Sequence, residues 1–190
     1  MARRPGGPLI WGVAYAAALV ALLVRVRTGD APLPPPAAPS PGEPIWLTRL
    51  HHALFALLLA GGPLERLLLG GVSAWRPAGL LLLAGGVVLY RTAGRALGSA
   101  LSPFIEPREG APLVTGGLYR HLRHPIYLAE ALIAVGAPLT LGCRRVLALS
   151  IAALAALALR MALEEKALAR TFPDYPRYAA TTKRLVPFLY

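Results

Sequence analysis

The sequence predicts an all-α integral membrane protein with about five transmembrane helices and a C-terminal helical hairpin. Hydrophobic residues make up 56% of the 190 residues and charged residues 15%, a composition that is uncommon in water-soluble domains. The apolar residues gather in five runs, and a spanning helix needs about 20 such residues, or fewer when flanking residues anchor it. The formal net charge of +11 comes mainly from arginines between these runs or at their ends, as is typical of loops that face anionic lipid.

The first apolar run covers residues 8–25 and follows Arg3 and Arg4. It is longer than the apolar core of a typical signal peptide, and no small-residue cleavage site follows it, so we predict a retained membrane helix. The connector over residues 30–44 is too rich in proline for a helix and is predicted to be extended.

The remaining four runs continue the helical pattern. The second, 46–62, has an arginine and two histidines near its start, so in an alternative with four spans this segment only dips into the bilayer. The third, 77–94, ends near Arg91. The fourth and fifth, 126–142 and 145–162, are joined by a connection that leaves room only for a tight helical hairpin.

The distribution of basic residues orients the five spans. If the C-terminus lies inside, the inner segments hold 14 of the 20 Lys and Arg residues. The positive-inside rule therefore places the N-terminus outside and the C-terminus inside. The four-span alternative would move the N-terminus inside. Two large inner segments flank the hairpin in the five-span arrangement, and we expect chemistry in contact with water to occur there.

Composition also argues against several kinds of partner. No basic stretch is interleaved with exposed aromatic residues, so we expect no nucleic acid. Cys143 is the single cysteine, which excludes an internal disulfide and a thiolate metal cluster. His121 and His124 are at helical spacing, but the neighbouring arginines and Pro125 make a bound metal ion unexpected there.

Two polar motifs flank the hairpin, and the first is "RHLRHPIY". It places two arginines and two histidines directly before an apolar run. Charge alone favours a juxtamembrane anchor that touches lipid headgroups. Histidines, however, donate and accept hydrogen bonds at fixed angles, which suits a pocket for a polar ligand.

The second motif starts at the end of the fifth span with "RMALEEK". Arg160 and Glu164 are four residues apart, which on a helix puts them on one face, so an intrahelical ion pair is the simplest interpretation. Ionisable residues at a membrane span usually face a cavity or a partner, which is the competing interpretation. For the aromatic residues Phe172, Tyr175 and Tyr178 that follow, we favour packing over ligand contact.

The stretch "LVTGGLYRHLRHPIYL", a helical hairpin and then "RMALEEKALARTFPDYPRYAATTKRLVP" together resemble the isoprenylcysteine carboxyl methyltransferase family and its phospholipid methyltransferase relatives, over roughly residues 98–188. The resemblance implies a membrane enzyme with a cytosolic cofactor pocket. There it would transfer a methyl group from S-adenosylmethionine to a lipophilic acceptor and leave S-adenosylhomocysteine. The most direct acceptor is the carboxylate of an isoprenylcysteine-like molecule. Residues 1–97 would form a transmembrane scaffold and residues 98–190 the methyltransferase catalytic region.

The resemblance also implies roles for individual residues. Arg160 would be catalytic and orient the group that is methylated. Glu164 would hold the cofactor from the wall opposite the first motif. Glu165 matches the family's second acidic position, without a defined role. Leu113 and Val114 would contact the cofactor through their backbone. The remaining cofactor-binding residues would surround it, and they lie in or just before the first motif: Tyr119, His124, Pro125, Ile126 and Tyr127.

Several acceptor chemistries stay open at this point. A carboxylate needs no general base, whereas a phenol or an amine would be helped by one, with His121, His124 or Glu164 as candidates. O- or N-methylation of a free lipid or a phospholipid is the alternative. Pro173 stands where relatives usually have glycine, which bears on acceptor identity. The proline-rich, GC-biased sequence favours a bacterial inner membrane, with the active site on the cytoplasmic side.

Two further classes are weaker alternatives. Membrane reductases for sterol or polyprenyl substrates share a related helical arrangement, but Glu106 and Glu109 argue against the phosphate-binding loops that a nicotinamide cofactor needs. A non-enzymatic carrier or structural subunit would require polar residues at mid-membrane on several spans. Small residues such as Gly85 and Gly86 would serve internal packing or dimerisation equally well.

Overall fold

The computed structural model describes residues 7–23, 42–71 and 73–185, and all regular elements in these ranges are helical. Six α-helices follow one another: α1 Gly7–Leu23, α2 Ile45–Leu69, α3 Arg76–Leu97, α4 Pro125–Leu141, α5 Arg144–Thr171 and α6 Tyr175–Thr181. Two short 3-10 helices, Gly98–Ala100 and Gly117–Arg120, lie between α3 and α4. Most of the predicted connector over residues 30–44 lies outside the described residues.

Apolar helices dominate the described chain. Three of them, Ile45–Leu69, Arg76–Ala100 and Arg144–Thr171, are long and apolar enough to cross a membrane. Two shorter apolar helices, Leu9–Leu23 and Pro125–Leu141, account for the other two predicted spans. Large apolar side chains stand exposed on the outer faces, as a lipid-facing surface requires. The protein is therefore an all-helical membrane protein, and the number of five spans stays a prediction.

Helix α2 continues to Leu69, seven residues beyond the predicted end of this span at residue 62. Pro63 lies inside the helix instead of ending it. A proline within a helix removes the hydrogen bond to the carbonyl four residues earlier, which is here the carbonyl of Leu59. The hydroxyl of Tyr15 in α1 donates a hydrogen bond to this carbonyl. The neighbouring helix thus satisfies the acceptor that proline leaves free, as a membrane interior requires.

The same device stabilises α4 around Pro138. Here the freed carbonyl is that of Ala134, and the Ser150 hydroxyl of α5 donates to it at 2.6 Å. The hydrogen bond joins the two helices of the predicted hairpin, which is confirmed. Its turn consists of Cys143 and of Gly142, whose φ of 75° is the left-handed conformation that glycine adopts without strain.

Helices α3 and α4 approach each other at backbone distance because glycines lie between them. A Cβ atom built on Gly79 would lie 2.5 Å from the amide nitrogen of Thr140, and one built on Gly136 would lie 2.5 Å from that of Leu83. Gly86 continues this contact toward the start of α4. Close backbone contact through small residues is a common way for membrane helices to associate. It fixes α4, which begins with the last three residues of the first polar motif, against α3.

Helix α5 runs to Thr171, nine residues beyond the predicted end at residue 162. The second motif therefore continues the spanning helix without a break, and both of its glutamates lie on the helix. The other end of α5 is capped by Glu65 from α2, whose carboxylate accepts the N–H groups of Arg145 at 3.1 Å and Val146 at 2.8 Å. A carboxylate at this position stabilises the positive end of the helix dipole.

The segment between α3 and α4 folds back over the ends of α2, α4 and α5. Its backbone is tied to the start of α2 by Glu43, which accepts hydrogen bonds from the N–H groups of Ile105 at 2.9 Å and Glu106 at 3.0 Å. An exposed ion pair at 2.7 Å between Glu106 and Arg170 joins the segment to α5. The polar motifs on either side of the hairpin meet beneath this segment.

Candidate functional site

A cavity of about 380 Å³ lies beneath the segment that connects α3 to α4. Its walls come from this segment and from α2, α3, α4, α5 and α6. Small-molecule sites in proteins typically measure about 300–1,000 Å³, so the cavity is large enough to be one.

The cavity collects nearly all residues that the sequence predicts for the site. Arg160 and Glu164 line it from α5, opposite the first motif and the residues just before it. Pro125 is the exception, because it is the fully buried first residue of α4 and lies behind the wall. His121, a predicted candidate for a general base, is exposed and lies outside the lining. The other predicted residues all line the cavity: Leu113, Val114, Tyr119, His124, Ile126 and Tyr127.

Arg160 is held in place by three acceptors from three parts of the chain. Its Nε donates to the Tyr127 hydroxyl at 3.1 Å, its Nη1 to Thr48 Oγ1 at 3.3 Å, and its Nη2 to the carbonyl of Pro103. The residue is 4% exposed. A guanidinium has five N–H groups, so two remain for a ligand.

Glu164 does not form the intrahelical ion pair with Arg160 that their spacing suggested, since no ion pair among the described residues includes it. Its partner is the Tyr127 hydroxyl, which donates to Oε2 and also accepts from Arg160. Tyr127 thus separates the two charged groups and connects them. The carboxylate of Glu164 thus lies on the cavity wall without an ion-pair partner among the described residues.

Glu165 has the opposite surroundings, and the structure supplies the role that sequence left undefined. Its carboxylate accepts hydrogen bonds from Arg123 at 3.0 Å and from Arg184, and it lies 3.2 Å from Nε2 of His124. The backbone N–H of Arg123 donates to the carbonyl of Lys183 at 2.8 Å in the same region. Glu165 therefore ties the first motif to the C-terminal segment.

The polar residues of the first motif thus fall into a pair that contacts the rest of the protein and a pair that is exposed. Arg123 and His124 face Glu165 and the cavity, whereas Arg120 and His121 are exposed. Only the exposed pair remains available for the lipid anchor that charge alone suggested.

Three aromatic residues, Phe172, Tyr175 and Tyr178, line the cavity, although sequence favoured a packing role for them. Tyr178 has both roles: it lines the cavity, and its hydroxyl donates a hydrogen bond to the carbonyl of Tyr119 at 2.6 Å, which holds α6 against the segment just before the first motif. Burial raises the pKa of Tyr178 to about 12, and burial with the nearby Glu164 charge raises the pKa of Tyr119 further. Both phenols therefore stay protonated at neutral pH and act as hydrogen-bond donors.

Sequence reasoning missed four polar residues on the membrane side of the cavity: His51, His52, Tyr90 and Glu130. The histidines were noted only as polar residues at the start of a span. Glu130 had a readable signal, because a carboxylate inside an apolar run at a predicted span is costly and usually functional. Tyr90 had none, since a tyrosine near the end of a span is also typical of the membrane interface.

The fold and the cavity define an integral membrane protein with a cavity lined partly by polar residues between the ends of its apolar helices. The family model described as phospholipid methyltransferase matches residues 75–175 of the chain. The chain therefore belongs to the phospholipid methyltransferase family, which is related to the isoprenylcysteine carboxyl methyltransferases, and the predicted resemblance is confirmed. The match extends from the residue before α3 to the first residue of α6. No match to the curated proteins was found. Membership makes the protein a membrane methyltransferase.

Proposed function

We propose that this methyltransferase uses S-adenosylmethionine and methylates a lipophilic acceptor that reaches the cavity from the bilayer. One observation carries the proposal. The two polar motifs are separated in sequence by the whole hairpin, yet they form facing walls of one cavity, with Arg160 and Glu164 opposite the motif that contains His124 and Tyr127.

The chemistry of the walls fits this cofactor. S-adenosylmethionine carries a sulfonium, an ammonium and a carboxylate, and when bound it would supply a methyl group already activated by the positive sulfur. Glu164 offers a carboxylate without an ion-pair partner among the described residues, which suits the two cationic groups. The backbone at Leu113 and Val114 and the ring of Tyr119 would hold the rest of the molecule. The segment over the cavity would limit the access of water once the cofactor is bound, which favours methyl transfer to the acceptor over hydrolysis.

The acceptor would lie on the membrane side, beside Arg160. The isoprenylcysteine-like carboxylate that the sequence predicts would bind the two N–H groups that Arg160 has left. The alternative, O- or N-methylation of a lipid or phenol, is favoured by His51 and Glu130, which add a proton acceptor to the same side. We also propose that the enzyme lies in a bacterial inner membrane with the cavity on the cytoplasmic side, as the distribution of basic residues favours.

Isothermal calorimetry of the detergent-purified protein tests the cofactor. We expect binding of S-adenosylhomocysteine in the micromolar range and no binding of a nicotinamide dinucleotide. Binding of the dinucleotide alone would favour the reductase class, and binding of neither by folded protein would contradict the proposal.

A further inference from the structure

A second layer of polar side chains lies on the cavity wall, one helical turn farther into the bundle than Arg160. The guanidinium of Arg160 contacts Thr48 on α2 and Tyr127 on α4. His51 lies three residues after Thr48 on α2, and Glu130 lies three residues after Tyr127 on α4, so each is on the same helix face as the residue that contacts Arg160. Three residues of helix rise about 4.5 Å. Both helices lead away from the covering segment, so the second layer lies on the side where a lipid would arrive.

His51 and Glu130 are paired within this layer. Nε2 of His51 lies 3.5 Å from Oε2 of Glu130, and their side chains are 2% and 14% exposed. Nδ1 of His51 and Oε2 of Glu130 are buried without a hydrogen-bond partner among the described residues. Buried polar atoms are rarely left unpaired, because their desolvation is costly. Oε2 of Glu130 has Nε2 of His51 beside it, so Nδ1 is the atom that lacks any neighbouring partner, and on a cavity wall it indicates a ligand that supplies one.

The charges around His51 restrict the chemistry of that ligand. Glu130 of α4 and His52 of α2 lie beside it, and Arg160 of α5 and Tyr90 of α3 line the same cavity. An acceptor that arrives as a carboxylate would be attracted by Arg160 but repelled by Glu130. An ammonium would be repelled by Arg160 and by the sulfonium of the methyl donor. A neutral hydroxyl that loses its proton only during the reaction avoids both penalties.

Resting on the proposed methyltransferase function, we propose that His51 is the general base, that Glu130 positions it, and that the acceptor is a lipophilic molecule with a weakly acidic hydroxyl group. Nε2 of His51 would carry its proton toward Glu130, which leaves Nδ1 free to accept one. As the bond between the hydroxyl oxygen and the methyl carbon forms, the carbon–sulfur bond of the donor breaks and its electron pair stays on sulfur. The hydroxyl proton passes to Nδ1, and Glu130 stabilises the imidazolium that results.

A phenol fits this mechanism better than an aliphatic alcohol does. The pKa of a phenol is about 10, whereas that of an unactivated hydroxyl such as water is about 15.7, too far from that of an imidazole for efficient transfer. Arg160, one layer away, would stabilise the developing phenolate. His51 lies outside the matched residues 75–175, so the family match alone does not assign this role.

The first test compares three acceptors with the same tail: 4-dodecylphenol, dodecylamine and dodecanoic acid. Each is incubated in detergent with the protein and with S-adenosylmethionine labelled on the methyl group, and the products are extracted. We expect labelled methyl ether from the phenol and no product from the other two. Methylation of the amine or the acid without the phenol, or no transfer to the phenol by protein that binds S-adenosylhomocysteine, would overturn the proposal. Loss of cofactor binding would instead overturn the proposed function itself.

The second test removes the base. His51→Asn should lower kcat/KM for 4-dodecylphenol by about 10²–10⁴-fold at neutral pH and leave the affinity for S-adenosylhomocysteine unchanged. A more acidic nitrophenol with the same tail should lose less activity, because it needs less help from a base. His121→Asn is the matched control, since His121 is exposed outside the cavity, and it should behave like wild type.

Two readouts separate a catalytic role from a structural one. Without the methyl donor, the wild-type protein should ionise the bound nitrophenol below the pH at which the free compound ionises, giving the visible absorbance of the phenolate, and His51→Asn should not. Glu130→Gln should move the midpoint of the kcat/KM profile to lower pH, because the imidazolium loses its stabilising charge. An unchanged spectrum in His51→Asn, or an unchanged profile in Glu130→Gln, would contradict the roles assigned here.

Discussion

At the scale of single residues, Glu164 and Glu165 show how adjacent carboxylates acquire different roles. Glu165 is surrounded by Arg123, Arg184 and His124, so its charge is used within the protein. Glu164 points the other way, and among the described residues its carboxylate is hydrogen-bonded to the hydroxyl of Tyr127 alone. Successive residues on a helix are about 100° apart, which places one on the cavity wall and the other against the C-terminal segment. Glu164 is therefore placed to bind a ligand, and Glu165 to stabilise the fold.

Replacing Glu164 by Gln should therefore weaken cofactor binding without unfolding the protein. Loss of the charge facing a bound cation should lower the affinity for S-adenosylhomocysteine by about tenfold or more, equivalent to about 1.4 kcal/mol or more. Isothermal calorimetry measures the affinity. Glu109→Gln removes the same charge from an exposed site outside the cavity and serves as the control. Equal affinities in the two variants would show that Glu164 does not hold the cofactor.

Glu165→Gln should have the complementary effect, on stability first. The substitution leaves two guanidinium groups without their carboxylate, and the side chain of Glu165 is only 15% exposed. We therefore expect the free energy of unfolding to fall by about 1–3 kcal/mol. For a chain of this size, each kcal/mol lowers the thermal midpoint by about 2–4 °C. Thermal unfolding in detergent, with Glu109→Gln again as the reference, measures the shift. An unchanged midpoint would mean that the C-terminal segment is held by other contacts.

At the scale of helices, the α3–α4 contact decides how closely the cavity walls approach. A Cβ atom on Gly86 would lie 2.9 Å from the carbonyl oxygen of Ala129, whereas one on Gly85 would meet nothing within 4 Å. Sequence left both glycines open between internal packing and dimerisation. The structure places Gly86 in the internal contact and Gly85 on an outward face.

Gly86→Ala should accordingly destabilise the protein, while Gly85→Ala should not. The first substitution forces backbones apart, at a cost of about 1–3 kcal/mol. The second gains the higher helix propensity of alanine, worth about 1 kcal/mol at an exposed helical position. Thermal unfolding of the two variants in the same detergent compares them directly. A larger loss in Gly85→Ala would indicate that its face is covered, as in a dimer.

The contrast between local and distant information explains which features the sequence could predict. Apolar runs are local, so the helices and the hairpin were placed correctly. The ends of α2 and α5 were missed, because Pro63 is tolerated only through a hydroxyl from another helix, and a polar stretch can extend a spanning helix. The cavity residues that belong to the two family motifs were predicted from the resemblance to the family, not from local patterns. His51 and Glu130 were not paired in advance, since their proximity follows from the packing of α2 against α4.

At the scale of the whole molecule, the polar groups form successive layers along the bundle. Glu165 and the first motif lie nearest the C-terminal segment, Glu164 and Arg160 follow, and His51 with Glu130 lies deepest. A cofactor from water and an acceptor from lipid would thus meet near the middle layer, where the reacting atoms can be aligned and water excluded. This arrangement requires the covered end of the cavity and the C-terminal segment to lie on the same side of the membrane.

The orientation of the last three membrane helices can be tested by cysteine labelling. Helix α4 is the decisive one, since its 17 residues span about 25 Å against a bilayer core of about 30 Å. We expect a cysteine in Ala74→Cys, before α3, to react with an impermeant maleimide added outside intact cells. A cysteine in Ala180→Cys, after α5, should react only after permeabilisation. Both positions are exposed, and the native Cys143 is buried, so wild type should give little background. Three crossings put the two positions on opposite sides. Labelling of both from the same side would mean two crossings, as expected if α3 and α5 cross and α4 does not.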